Sequence, residues 1–275
     1  MSNDPEVANT IQTGAFKTNY HDAGNGDPLF LIHGSGPGVT AWANWRGVLP
    51  QLAQLHRVIA PDMAGFGYTE RLPDYAYTMQ NWVQHVIDMM DALNIEKTHL
   101  LGNSFGGALA IAFAIKYPQR VDRLILMGAV GVPFTLTRGL DAVWGYEPSV
   151  ENMRNIMDLF AFDKSLITDE LAQLRYKASI QPGFQETFSQ MFPAPRQRSV
   201  DALASSSEDI RNIQHETLIL HGREDLVIPP TTSTSLFDMI PNSQLHMFGR
   251  CGHWTQIEHN ARFVEQVKDF LAETS

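Results

Sequence analysis

Between Phe16 and Met127, short apolar runs alternate with helix-length amphipathic stretches, and few folds accommodate that alternation. Phe16 to His21, Pro28 to His33, Arg57 to Ala60, His99 to Leu101 and Leu124 to Met127 predict strands. Trp42 to Leu55, Asn81 to Leu93 and Phe105 to Tyr117 predict helices, the last stopped by Pro118. Strands this short and apolar, separated by helices, belong to a parallel sheet covered on both faces. The pattern changes after Met127. From Pro133 to Asp209 no strand is predicted, only helical stretches at Val150 to Phe160, Asp169 to Ser179 and Gln185 to Met191, with a proline-rich break at Phe192 to Pro195. Strands return at Thr217 to His221 and Gln244 to Phe248, with a helix between them. Ile257, Ala261, Val264, Val267 and Leu271 then form the apolar stripe of a final helix, Gln256 to Leu271. The expected organisation is one α/β core, residues 1–132 and 210–275, interrupted by a helical cap, residues 133–209.

The strongest local signal is Gly102-Asn103-Ser104-Phe105-Gly106, a G-x-S-x-G between an apolar strand and a helix. That context is what a nucleophile elbow requires: a sharp turn with small neighbours that exposes a serine at a helix N-terminus. A serine nucleophile needs a base, and the base needs an orienting carboxylate. His253 lies in the turn Gly252-His253-Trp254, after one predicted strand and before the last helix. Asp225 follows the strand that ends at His221. The order Ser104, Asp225, His253 matches the chain order of such triads. His246 and His259 compete for the role of base, the first in mid-strand and the second in the final helix. Glu224 competes for the role of acid. Acyl chemistry also needs two backbone donors aimed at one developing oxyanion. The expected pair is the amides of Phe105, directly after the nucleophile, and Ser35, in the loop His33-Gly34-Ser35-Gly36-Pro37-Gly38.

Composition excludes several classes. The chain has 275 residues, 44% hydrophobic and 18% charged, a globular profile. Its formal net charge of −10, with no clustered basic patch, argues against nucleic acid as a partner. The longest apolar run, Ala108 to Ile115, falls far short of the roughly 18 residues of a membrane span. MSNDPEVANT has no apolar signal-peptide region. A single cysteine, Cys251, forbids an intrachain disulfide and suits a reducing compartment, so a cytoplasmic location is expected. There is no H-E-x-x-H and no cysteine pair, so no metal is expected.

Taken together, HGSGPGVTAWANWR (His33 to Arg46), PDMAGFGYTE (Pro61 to Glu70), GNSFGG (Gly102 to Gly107), FAFDKSLITDELAQLRY (Phe160 to Tyr176), HGREDLVIP (His221 to Pro229) and CGHWTQIEH (Cys251 to His259) resemble the α/β-hydrolase superfamily. Within it, the chain is similar to the carbon–carbon hydrolases of aromatic meta-cleavage pathways, in the branch acting on 2-hydroxymuconate semialdehyde and its short-alkyl relatives. The resemblance implies an α/β-hydrolase fold with a mostly parallel sheet and an inserted helical cap. It implies a cofactor-independent enzyme, commonly a homo-oligomer, and a small anionic dienolate as substrate. It assigns Arg175 to the substrate carboxylate, Asn103 to the dienolate and Asn44 to the substrate's polar end. It places Trp254 beside the catalytic histidine and Phe160 in the pocket lining from the cap. Without the resemblance, Arg175 reads as a surface arginine, Trp254 and Phe160 as packing residues, and the two asparagines as turn-formers. Ser35 replaces a glycine found in many relatives, and its hydroxyl has no assigned partner. A serine esterase or lactonase on the same fold is the alternative activity.

Overall fold

The computed structural model describes residues 4–273; the ends of the first and last core segments, residues 1–3 and 274–275, lie outside the described residues. An eight-stranded sheet runs through the molecule in the order β1-β2-β4-β3-β5-β6-β7-β8. β1 (Asn9–Thr13) and β2 (Phe16–Ala23) form an antiparallel edge, and β2 pairs antiparallel with β4 (Arg57–Pro61). All the pairings from β4 to β8 are parallel: β3 (Pro28–Ile32), β5 (Thr98–Asn103), β6 (Val121–Met127), β7 (Thr217–Gly222) and β8 (Ser243–Phe248). β1 escapes sequence reading because it is polar and mostly exposed, an edge strand held by main-chain bonds rather than by an apolar face.

Helices cover both faces. α1 (Ala41–Trp45), α2 (Leu49–Leu52) and α13 (Asn260–Ala272) bury Trp45, Leu52, Phe263 and Val267 on one side. α3 (Met79–Ala92), α4 (Phe105–Lys116) and α11 (Thr231–Met239) bury Trp82, Val86, Ile111 and Leu236 on the other. Two expected helices are each broken in two. The stretch Trp42 to Leu55 becomes α1 and α2 because Pro50 has no N–H and its ring excludes the carbonyl four residues earlier, so it sits in the first turn of a new helix. The final helix is split into α12 (Thr255–Glu258) and α13 at His259, where the Asn260 side chain donates to the carbonyls of Gln256 and Gly47.

Between β6 and β7 the described chain is helical: α5 (Arg138–Trp144), α6 (Val150–Phe160), α7 (Asp169–Ser179), α8 (Phe184–Met191), α9 (Gln197–Leu203) and α10 (Ser207–Arg211). α6 and α7 coincide with the stretches expected from sequence, whereas α5, α9 and α10 are too short to show a periodic pattern. The amide of Ser205 donates to the carbonyl of Gly131 at 2.9 Å, which brings the two ends of the insertion together. Trp144, Met153, Ile156 and Phe188 join the same apolar cluster as the α3 and α4 side of the sheet. The insertion is therefore packed into the core it covers.

Two buried imidazoles shape the loop after β4. His33 Nε2 accepts from the Met63 amide at 2.9 Å, and His85 Nδ1 accepts from the Ala64 amide at 3.1 Å. Burial strips water from their charged forms and lowers both pKa values to about 4; the neighbouring His33 adds to the effect on His85. The unfolded chain protonates these rings near pH 6.5, so their contribution is complete above 6.5 and is lost as pH falls toward 4, about 3 kcal/mol per ring at the limit. Asp62 opposes them. Burial raises it to about 6, against hydrogen bonds from the Ala41 and Tyr68 amides and from Asn19, so its contribution grows as pH falls through the same window. Two rings outweigh one carboxyl. The melting temperature is expected to fall between pH 7 and pH 4.5 with net proton uptake on unfolding; calorimetry showing a flat profile over that range would contradict this.

Candidate active site

The carboxyl ends of β3, β5, β6 and β7 open onto a cavity of about 270 Å³ roofed by the insertion. At its floor, β5 turns into α4 at Ser104, which adopts φ 54° and ψ −113°, a region L-residues rarely visit. The amide of Ser104 donates to Met127, and its carbonyl accepts from Gly107 and Val130, which over-determines the strained turn. A Cβ on Gly102 would lie 2.2 Å from the Gly106 carbonyl, and one on Gly106 would lie 2.3 Å from that of Ile32. No side chain fits there, so both glycines follow from how closely strand, turn and helix pack.

Asp225 and His253 meet beside this turn. His253 Nδ1 donates to Asp225 Oδ2 at 2.6 Å, which leaves Nε2 free to act as a base. His221, at the end of β7, donates through Nε2 to the same oxygen at 3.1 Å, and its Nδ1 accepts from Ser233 at 2.6 Å. Asp225 Oδ1 accepts from the amides of Val227 and Ile228. Burial alone would raise the Asp225 pKa, but the facing His253 and His221 outweigh it and hold the carboxyl well below the usual range. The acid is thus fixed as an anion with every lone pair engaged. Glu224 is directed elsewhere, accepting from Cys251 N. His246 lies within β8, and His259 at the break between α12 and α13.

The Phe105 amide opens α4, and Ser35 lines the cavity in the loop after β3; no described residue accepts a hydrogen bond from either amide. The Ser35 hydroxyl accepts from Trp144 Nε1 at 2.9 Å, so it ties the core loop to the insertion. Asn44 Oδ1 accepts from the Gly34 amide at 3.1 Å and from Asn103 Nδ2 at 2.9 Å, which locks this loop to the elbow. Phe160 stacks on both His253 and Trp254, with centroids 5.7 and 5.3 Å away, and its carbonyl accepts from the His253 amide at 2.6 Å. Arg175, on α7, is not a surface residue. Its side chain is 17% exposed, Nη2 donates to Gly38 O at 2.6 Å, and Nη1 lies 3.8 Å from Glu6. Burial lowers its pKa, against the attraction of Glu6. All ten residues singled out from the sequence surround one cavity or, for Phe105 and Asp225, directly support its wall.

Some functional neighbours have no sequence signature. Leu140, Val143, Met153, Ile156 and Leu171 give the cavity its apolar roof, and only the docking of α5 to α7 brings them together. Glu258 also escapes notice: it accepts from the amides of Gly252, Phe162 and Asp163, which fastens the His253 loop to the insertion. Cys251, next to that loop, is buried, and burial pushes its thiol up to about 12, with Glu258 adding to the shift. The thiolate is the reactive form. Native protein at pH 8 is therefore expected to resist alkylation by iodoacetamide, whereas unfolded protein reacts stoichiometrically. Rapid native labelling by mass spectrometry would contradict this burial.

A strained serine elbow, a carboxylate-oriented histidine and a mostly parallel sheet define a serine hydrolase. The chain belongs to the alpha/beta hydrolase fold family, whose model matches residues 27–260. It is 63% identical over 267 residues to the 2-hydroxy-6-oxo-2,4-heptadienoate hydrolase of Pseudomonas putida, covering 97% of each chain. It is 60% identical over 271 residues to the 2-hydroxymuconate semialdehyde hydrolase of Pseudomonas sp. strain CF600, covering 98% of this chain and 96% of that one. The solved meta-cleavage product hydrolase of Pseudomonas fluorescens superposes with a TM-score of 0.97 at 60% identity, covering 98% of each chain.

Proposed function

We propose that this chain hydrolyses a carbon–carbon bond in meta-cleavage products of the 2-hydroxy-6-oxo-hexa-2,4-dienoate type, 2-hydroxymuconate semialdehyde or short 6-alkyl analogues. The products are 2-hydroxypenta-2,4-dienoate and a small carboxylic acid. The observation that carries this reading is a buried guanidinium, Arg175, sharing one largely apolar cavity with Ser104 and His253. A neutral ester needs no such cation, whereas an anionic dienolate does, and a planar fork matches a carboxylate through two parallel hydrogen bonds. The relatives named for these substrates support the same choice over the esterase or lactonase alternative.

In this reading, Arg175 holds the carboxylate, and Asn103 and Asn44 face the polar dienolate end. The dienolate takes a proton at carbon and becomes a ketone, which can receive the electron pair of the breaking bond. His253, oriented by Asp225, activates Ser104 or a water held by it toward the distal carbonyl. The amides of Phe105 and Ser35 receive the developing oxyanion, each donor worth about 3 kcal/mol. Water is consumed, and its oxygen ends in the acid product. Trp254 and Phe160 wall the histidine. Homo-oligomeric assembly and a cytoplasmic location complete the proposal; light scattering tests the former.

The direct test mixes purified protein with 2-hydroxymuconate semialdehyde. Loss of the yellow dienolate with formation of 2-hydroxypentadienoate is the expected result. No bleaching, with ready cleavage of a neutral aryl ester, would overturn it.

A further inference from the structure

The Arg175 end of the cavity holds a second guanidinium that the proposed mechanism does not use. Arg46 follows α1, two residues after Asn44, and lines the same cavity as Arg175. It is exposed, and no described residue makes a hydrogen bond or ion pair with its side chain. Burial raises the pKa of Glu6, from the segment before β1, against the attraction of Arg175 and, more weakly, of Arg46, while Asp4 adds to the rise. The Glu6 carboxylate faces Arg175, with Oε1 3.8 Å from Nη1. Asp4 is a further acid close to Glu6, so without Arg46 this end would set one guanidinium against two carboxylates. The chain as a whole is strongly acidic, at a net −10, and repels an anionic ligand.

We propose that Arg46 is a substrate-binding residue that supplies the accessible positive charge at the cavity mouth, drawing in the carboxylate of an anionic substrate and delivering it to Arg175. This inference rests on the substrate class proposed above. Its position fits the role: an exposed, unpaired guanidinium at the rim keeps its charge available to solvent, whereas the buried Arg175 supplies the fixed fork. A charge placed this way acts on capture and little on the chemical step.

The test measures steady-state turnover of 2-hydroxymuconate semialdehyde by wild type, Arg46→Gln, Arg46→Lys and Arg211→Gln. The last removes the same charge from an exposed residue outside the cavity. At low salt, Arg46→Gln is expected to lower kcat/KM about fivefold or more with kcat changed by less than about twofold. Its kcat/KM should also lose most of the wild-type decline between low salt and about 0.5 M salt, where screening removes long-range attraction. Arg46→Lys keeps the charge and should keep the salt dependence; Arg211→Gln should match wild type. Equal kcat/KM and an equal salt slope in wild type and Arg46→Gln would overturn the proposal, as would a fall in kcat alone. Absence of turnover by wild type would instead sink the proposed function. Equilibrium binding of the same dienolate to Ser104→Ala, with and without Arg46→Gln, then still decides the role of Arg46.

Discussion

Ser104→Ala is expected to cut kcat by about 10³- to 10⁴-fold or more while the dienolate still binds with near wild-type affinity. The hydroxyl removed sits at the strained turn beside the Asp225–His253 pair, and the backbone around it is fixed by bonds that alanine retains. The cavity, Arg175 and the unpaired amides of Ser35 and Phe105 all survive the change, so binding and oxyanion stabilisation persist while the oxygen that His253 would activate is gone. Stopped-flow absorbance separates the two: rapid formation of a bound dienolate spectrum, followed by very slow decay. Alanine keeps the Cβ and so the same strained turn, and a melting curve close to that of wild type shows that the variant is folded. A variant that turns over within tenfold of wild type would remove Ser104 from the mechanism and leave a water activated by His253 alone. Mass spectrometry of quenched wild-type reactions separates the two roles left to the serine, since an acyl adduct on the Ser104 peptide forms only if the hydroxyl attacks.

Arg175→Gln is expected to lower kcat/KM for the dienolate by about 10²- to 10³-fold, mostly through KM. The loss is large because the guanidinium is buried and its charge is only partly answered by Glu6 at 3.8 Å. Glutamine keeps a donor for the Gly38 carbonyl, so the α7 contact with the core loop is retained in part. The same substitution leaves hydrolysis of a small neutral aryl ester within about threefold, since that substrate brings no charge to pair. Parallel assays therefore tell loss of anion recognition from general damage. Equal losses on both substrates would mean that Arg175 holds the insertion in place and does not read the substrate.

Sequence reading reached the chemistry further than the geometry. Helix α6 emerges from periodicity because Met153, Ile156, Met157 and Phe160 bury one face at helical spacing, and strand β7 emerges as a short run buried on both faces. Local rules failed where a single residue breaks a pattern, as at Pro50 and His259, or where main-chain pairing alone makes an element, as in β1. The choice of Asp225 over Glu224 was open on spacing, since the two are adjacent. Strand and turn geometry separates them: one carboxylate enters the cleft under four hydrogen bonds, and the other bonds the Cys251 amide.

By itself, the sequence determined the hydrolase class, because an elbow needs its glycines and serine at fixed spacing and a relay needs its acid and base in order. These constraints act over a few residues and are written locally. Only the tertiary structure decided that Arg175 is a largely buried cation and that Arg46 stands beside the same cavity with no partner among the described residues. It also decided that the Ser35 hydroxyl bonds Trp144, and that Leu140, Met153 and Leu171 form one roof. Burial and net local charge depend on which distant segments meet, and residues 6, 46 and 175 become one electrostatic unit only after the sheet, the first segment and the helical insertion have packed together.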